Sequence, residues 1–95
     1  MSAFIIVNIE VHDPKQFGEY KTLVEPTLEA YGGRYLVRGG RTEVLEGEWD
    51  LNRLVIIQFD SVERARAWWS SEEYREPKEL RQRASTSQMV VAEGL

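Results

Sequence analysis

The sequence predicts an α+β fold of the ferredoxin-like, split βαβ kind: one antiparallel sheet with two helical regions on one face. Three observations carry this expectation. The elements read in the order β-α-β-β-α-β. Each helical region carries an apolar stripe and so has one face to bury. The first and third strands are apolar on both faces, and the topology places those two at the centre of the sheet, in the order 4-1-3-2.

Residues 3–11 (AFIIVNIEV) are rich in Ile and Val and alternate as a strand does. Ala3, Ile5, Val7, Ile9 and Val11 share one face; Phe4, Ile6, Asn8 and Glu10 share the other. Asp13-Pro14 then opens a helix, Asp as cap and Pro at the first helical position. Phe17, Tyr20, Val24, Leu28 and Tyr31, with Leu23 beside them, form its apolar stripe. Pro26 is expected to kink it, and Gly32-Gly33 to stop it.

Arg34–Arg38 reads as the second strand, with a bulge or bend at Gly39-Gly40 and a continuation over Thr42–Leu45. Arg53–Phe59 (RLVIIQF) is the third strand, with Val55, Ile57 and Phe59 on one face and Leu54 and Ile56 on the other. Ser61 caps the next helix, whose apolar residues are Val62, Ala65, Trp68 and Trp69; Ser71 caps a further turn. Pro77 is expected to open a last helical segment ending near Ala84, before a fourth strand over residues 86–93.

Ninety-five residues fit one domain, 1–95, with little room for a second. A core of that size is modest, and the sheet face opposite the helices would be left apolar in a monomer. Both points predict a homodimer joined through the sheet. The net charge of −4 argues against a broad grip on nucleic acid. No apolar run approaches the ~20 residues that span a bilayer, so no membrane partner is expected. The N-terminus lacks the basic start and cleavage site of a signal peptide, and there is no cysteine; a cytoplasmic setting is expected. One histidine and no cysteine are too few ligands for the commonest zinc or haem sites, so no metal or cofactor is expected.

Several strings together resemble a known family. They are Gly32-Gly33-Arg34-Tyr35-Leu36-Val37-Arg38-Gly39-Gly40, Glu46-Gly47-Glu48-Trp49, Arg53 through Ser61, and Ala65 through Tyr74, followed by Arg81. The pattern resembles the family called domain of unknown function 1330 over nearly the whole chain. That resemblance implies a dimeric α+β barrel, two ferredoxin-like units with their sheets face to face, and implies no activity. Trp69 stands where the family more usually has Tyr or Phe. Related barrels include monooxygenases, lactone isomerases and peroxidases, an analogy of fold alone.

Among residues with chemistry, His12 reads as an exposed turn residue at the end of the first strand. Glu10 reads as a rim carboxylate paired to an arginine, and Glu46 with Arg53 as a cross-strand ion pair. Ser61 and Ser71 read as caps, and no Gly-x-Ser-x-Gly elbow supports serine hydrolysis. Arg38 before Gly39-Gly40 is the most suggestive motif, because glycine lets backbone approach a ligand and Arg forks onto anions.

Two functional readings stand. In the first, Tyr20, Arg38, Trp68, Tyr74 and Arg81 line a pocket between helices and sheet, or inside the dimer barrel. There Arg38 or Arg81 meets a small organic anion, which is bound or converted. In the second, the chain is a non-catalytic dimeric structural or regulatory module whose polar residues hold the fold.

Overall fold

Alternation along the first strand decides the architecture. In the computed structural model, which describes residues 1–95, β1 (Ala3–Val11) buries Ala3, Ile5, Val7 and Ile9 and leaves Phe4, Ile6 and Asn8 half-buried on the opposite face. β3 (Arg53–Phe59) repeats the pattern with Val55, Ile57 and Phe59. These two strands pair antiparallel at the centre of a four-stranded sheet ordered β2-β3-β1-β4, as the sequence predicts. Ile5 sits between Ile57 and Val91 across the sheet. The molecule measures 36 × 33 × 17 Å. The thin dimension has room for one helical layer on one sheet, so the second face stays uncovered.

The helices start where their caps direct. Asp13 Oδ1 accepts from the Gln16 N–H at 3.1 Å and opens α1 (Pro14–Tyr31). The chain leaves α1 through Gly32, at φ 74, and Gly33 N–H donates to the Leu28 carbonyl at 2.8 Å. α1 runs through Pro26 as one helix. Leu23 departs from the expected stripe and faces solvent. Ser61 and Ser71 cap α2 (Val62–Trp69) and α3 (Glu72–Ala84), accepting from Arg64 and Tyr74 N–H groups at 3.0 and 3.1 Å. Pro77 does not open a segment of its own. Ser71 has already begun the helix, and Pro77 lies buried inside it, where packing of the ring offsets the one backbone bond it removes. β4 (Ser85–Glu93) follows directly, one residue earlier than expected.

The largest departure is at β2 (Arg34–Arg38). The irregularity lies at Leu36, not at Gly39-Gly40: Tyr35 faces Ile57, whereas Val37 faces Ile56 and Arg38 faces Val55. This bulge returns both Tyr35 and Arg38 to the helix-covered face and sends Val37 to the open one. The strand then ends, and Thr42–Leu45 do not extend it. Gly39, at φ 72, makes its last ladder bond to the Leu54 carbonyl (2.8 Å) and turns the chain away. The returning loop is tied down by Asn8, whose amide donates to the Asp50 carbonyl (3.0 Å) and accepts from Asn52 N–H (2.9 Å). No helix is long and apolar enough to cross a membrane.

Candidate functional site

The layer between helices and sheet is aromatic at its centre. Trp68 from α2 stacks on Tyr74 from α3, with ring centroids 4.0 Å apart, and packs against Phe59 at 5.6 Å. Its polar groups are joined by hydrogen bonds, some within one helix and some between elements. The Trp68 indole N–H donates to Thr27 Oγ1 at 3.0 Å, and the Thr27 hydroxyl donates to the Val24 carbonyl at 2.6 Å. The hydroxyls of Tyr20 and Tyr74 lie 2.9 Å apart. Arg81 Nε donates to Tyr74 Oη at 3.2 Å, and its Nη1 donates to Ser87 Oγ. A chain of hydrogen bonds thus runs from α1 through α3 to β4.

Beside this chain is a small void of about 20 Å³, bordered by Tyr20, Tyr35, Arg38, Arg53, Trp68 and Arg81 among others. That is room for about one water. On the α1–β2–β3 side an open cleft of about 460 Å³ is lined by Gly18, Lys21, Thr22, Glu25, Arg38 and Arg53, none of them apolar side chains. Void and cleft share Lys21, Arg38 and Arg53.

Their charge does not balance. Arg38 pairs with Glu25 at 2.7 Å and lies over the Tyr35 ring at 4.5 Å. The chain's other ion pairs belong to Arg75, so Lys21, Arg53 and Arg81 have no carboxylate partner. Arg53 lies 5.5 Å over the Phe17 ring, and its Nε is buried without a hydrogen-bond partner. Four cations therefore border these spaces against one acid, Glu25.

The sequence matches the family model described as "Domain of unknown function (DUF1330)" over residues 2–95. The chain belongs to the DUF1330 family. No curated relative matches it. Among solved structures it is similar to a protein of unknown function from Rhodopseudomonas palustris, at 18% identity and TM-score 0.78, over 99% of this chain and 82% of that one. A dimeric ferredoxin-like protein of unknown function from Thermobifida fusca is similar at 13% identity and TM-score 0.67, over 99% and 92% of the two chains. The cofactor-independent oxygenase SnoaB from Streptomyces nogalater is similar at 15% identity and TM-score 0.60, over 99% and 93%. At these identities the likeness is one of fold.

In this DUF1330 chain, four of the residues picked from sequence, Tyr20, Arg38, Trp68 and Arg81, border the void. The fifth, Tyr74, sits behind them and is bonded to Tyr20 and Arg81. Sequence reasoning missed Lys21, Tyr35 and Arg53 as members of this set. Arg53 had a legible signal, since it shares the parity of Val55, Ile57 and Phe59. Its expected ion pair with Glu46 does not form: Glu46 lies in the loop, while Arg53 stands opposite Ile9 on the helix-covered face. Glu10 is exposed opposite Thr86 and pairs with no arginine. His12 Nε2 lies 2.6 Å from Thr86 Oγ1, and the His12 backbone N–H donates to the Ala84 carbonyl. It joins the end of β1 to β4 outside the void.

Burial, above all, raises the Tyr20 hydroxyl well above the ordinary tyrosine range; the neighbouring Tyr74 adds to this and Arg81 opposes it. Burial likewise raises Tyr35, against the pull of Arg38. Both hydroxyls are neutral near pH 7, and that of Tyr20 is hydrogen-bonded to Tyr74. No cluster of three or more His, Cys, Asp or Glu side chains is placed to hold a metal ion.

Proposed function

We propose that this chain, acting as a single domain, binds a small organic anion at the cleft between α1, β2 and β3, with the charged group among Lys21, Arg38 and Arg53. The observation that carries the reading is the Arg53 guanidinium: its Nε is buried with no acceptor, and no carboxylate answers its charge. Arg53 is half-buried, and its Nε is withdrawn from water with no acceptor, which costs free energy; an anion with two or more acceptor oxygens would satisfy it. Arg38 differs, because Glu25 already holds it. The polar lining favours a compact, multiply charged ligand such as a phosphate ester or a small dicarboxylate.

A thermal-shift screen of inorganic phosphate and small dicarboxylates tests this. A ligand at a hundred times its Kd adds about 2.7 kcal/mol, or about 10–20 °C for a domain of this size. The expected result is a rise in Tm for wild type and none for Arg53→Met. If no anion raises the wild-type Tm, the reading fails.

The uncovered sheet face supports a homodimer. Phe4, Ile6, Val37, Leu54 and Ile56 lie side by side on it and are half-buried in one chain. Packing against a second copy would remove this apolar strip from water and close the two sheets into a barrel. The Thermobifida fusca neighbour is described as dimeric. Light scattering is expected to give twice the 11.0 kDa of one chain, and Ile6→Glu to give the single-chain mass. A wild type of single-chain mass would overturn the dimer.

A further inference from the structure

Arg81 borders a second space on its other side. Between α2, the end of α3 and the edge strand β4 lies an open cleft of about 540 Å³, within the size range of small-molecule sites. Its apolar walls are Ala65 and Trp69 from α2 and Met89 and Val91 from β4. Its polar end holds Arg81 and Ser87, and Arg66 also lines it. No Asp or Glu lines it, in a chain with 16 acids against 12 bases.

Three facts narrow what fits there. Arg81 is only 3% exposed, yet its side-chain hydrogen bonds go to the neutral hydroxyls of Tyr74 and Ser87. Its charge is therefore uncompensated inside the fold. Trp69 is partly exposed but held in place: Lys78 lies 3.8 Å over its ring and donates to its carbonyl at 2.9 Å. Unlike the basic cleft, which has no apolar lining residue, this one is half apolar. Arg66 is exposed and solvated, so Arg81 is the one buried, uncompensated charge here, and beside apolar side chains it is complementary to a ligand with one anionic head and an apolar body.

We propose that the cleft between α2, α3 and β4 binds an amphiphilic monocarboxylate, its carboxylate at Arg81 and its hydrocarbon or aryl body along Trp69, Met89 and Val91. This site is separate from the anion cleft between α1, β2 and β3, and the two clefts meet only at the void that Arg81 borders. The carboxylate supplies the missing counter-charge, and the body covers apolar surface that water now touches.

Calorimetric titration with octanoate and with 1-octanol tests the proposal, with the Trp69 indole N–H followed by NMR in a Trp49→Phe background. Octanoate is expected to saturate, to shift the Trp69 resonance, and to bind at least about tenfold more tightly than octanol. Val91→Asp places a negative charge on the wall at a side chain that is 38% exposed and, once shown to be folded by circular dichroism, is expected to weaken octanoate by at least about tenfold. Arg81→Lys, if folded by circular dichroism, is expected to weaken it as well. Arg53→Met, which removes the basis of the other cleft, is expected to leave octanoate binding unchanged, so the two readings fail separately. The proposal is overturned if octanoate shows no saturable binding, if octanol binds equally well, or if Val91→Asp binds like wild type.

Discussion

Arg53 fills the space in which any residue other than glycine at position 39 would carry its Cβ. A Cβ on Gly39 would stand 2.7 Å from Arg53 Cζ, and Gly39 adopts φ +72. One glycine therefore meets two demands at the end of β2. It takes the left-handed turn that ends the strand, and it leaves room for a cation that borders the anion cleft.

Gly39→Ala is expected to destabilise the fold by about 1–2 kcal/mol from backbone strain alone. It also displaces Arg53, so the rise in Tm with phosphate should shrink or vanish. Urea unfolding measures the first effect and thermal shift the second. An alanine variant with wild-type stability and wild-type phosphate response would show that neither constraint operates.

The two tyrosine hydroxyls should not be equivalent. Tyr74 Oη lies between Tyr20 and Arg81, whereas Tyr20 Oη bonds Tyr74 alone. Tyr74→Phe leaves a buried guanidinium N–H and the Tyr20 hydroxyl without their partner, at an expected cost of about 2–3 kcal/mol. Tyr20→Phe leaves the Arg81–Tyr74 bond in place and should cost about 1 kcal/mol. Denaturant unfolding of both variants decides the order. Equal costs would mean that the Arg81–Tyr74 bond adds nothing.

The central sheet was legible because period-two alternation in β1 and β3 places apolar residues on both faces, and few folds have use for two such strands. The aromatic and arginine set was legible too, from Trp68, Tyr74 and Arg81 falling on the elements that pack over the sheet. The β2–β3 loop was not. Thr42–Leu45 read as strand locally, but the chain there is directed by the Gly39 turn and by Asn8, which holds Asp50 and Asn52 from more than forty residues away in sequence. Arg38 faces the helices only because of the bulge at Leu36, which nothing in Arg34–Arg38 announces. Arg53 was misassigned because Glu46 offered an easy opposite charge. Parity with Val55 and Ile57 was the better guide, since strand side chains cannot change face without a bulge.

Stability should depend on alkaline pH through Tyr20. Burial and the Tyr74 neighbour raise its pKa in the folded state well above the ordinary value, whereas in the unfolded chain it titrates near 10. Below about pH 10 the hydroxyl is protonated in both states, and its contribution is fully present. Above that pH the unfolded chain releases a proton that the folded chain keeps, so the unfolded state binds fewer protons and stability falls as pH rises. The slope is about 1.4 kcal/mol per pH unit for each such tyrosine, and it continues until the folded pKa is reached. Tyr35, also raised by burial, adds in the same direction. Lysines titrate in the same window, so wild type must be compared with Tyr20→Phe. Urea unfolding at intervals from about pH 8 to 11 should show the wild type losing stability more steeply than Tyr20→Phe above about pH 10, with parallel curves below it. Curves that stay parallel throughout would mean that Tyr20 ionises as readily in the fold as outside it, and that burial beside Tyr74 does not hold its proton.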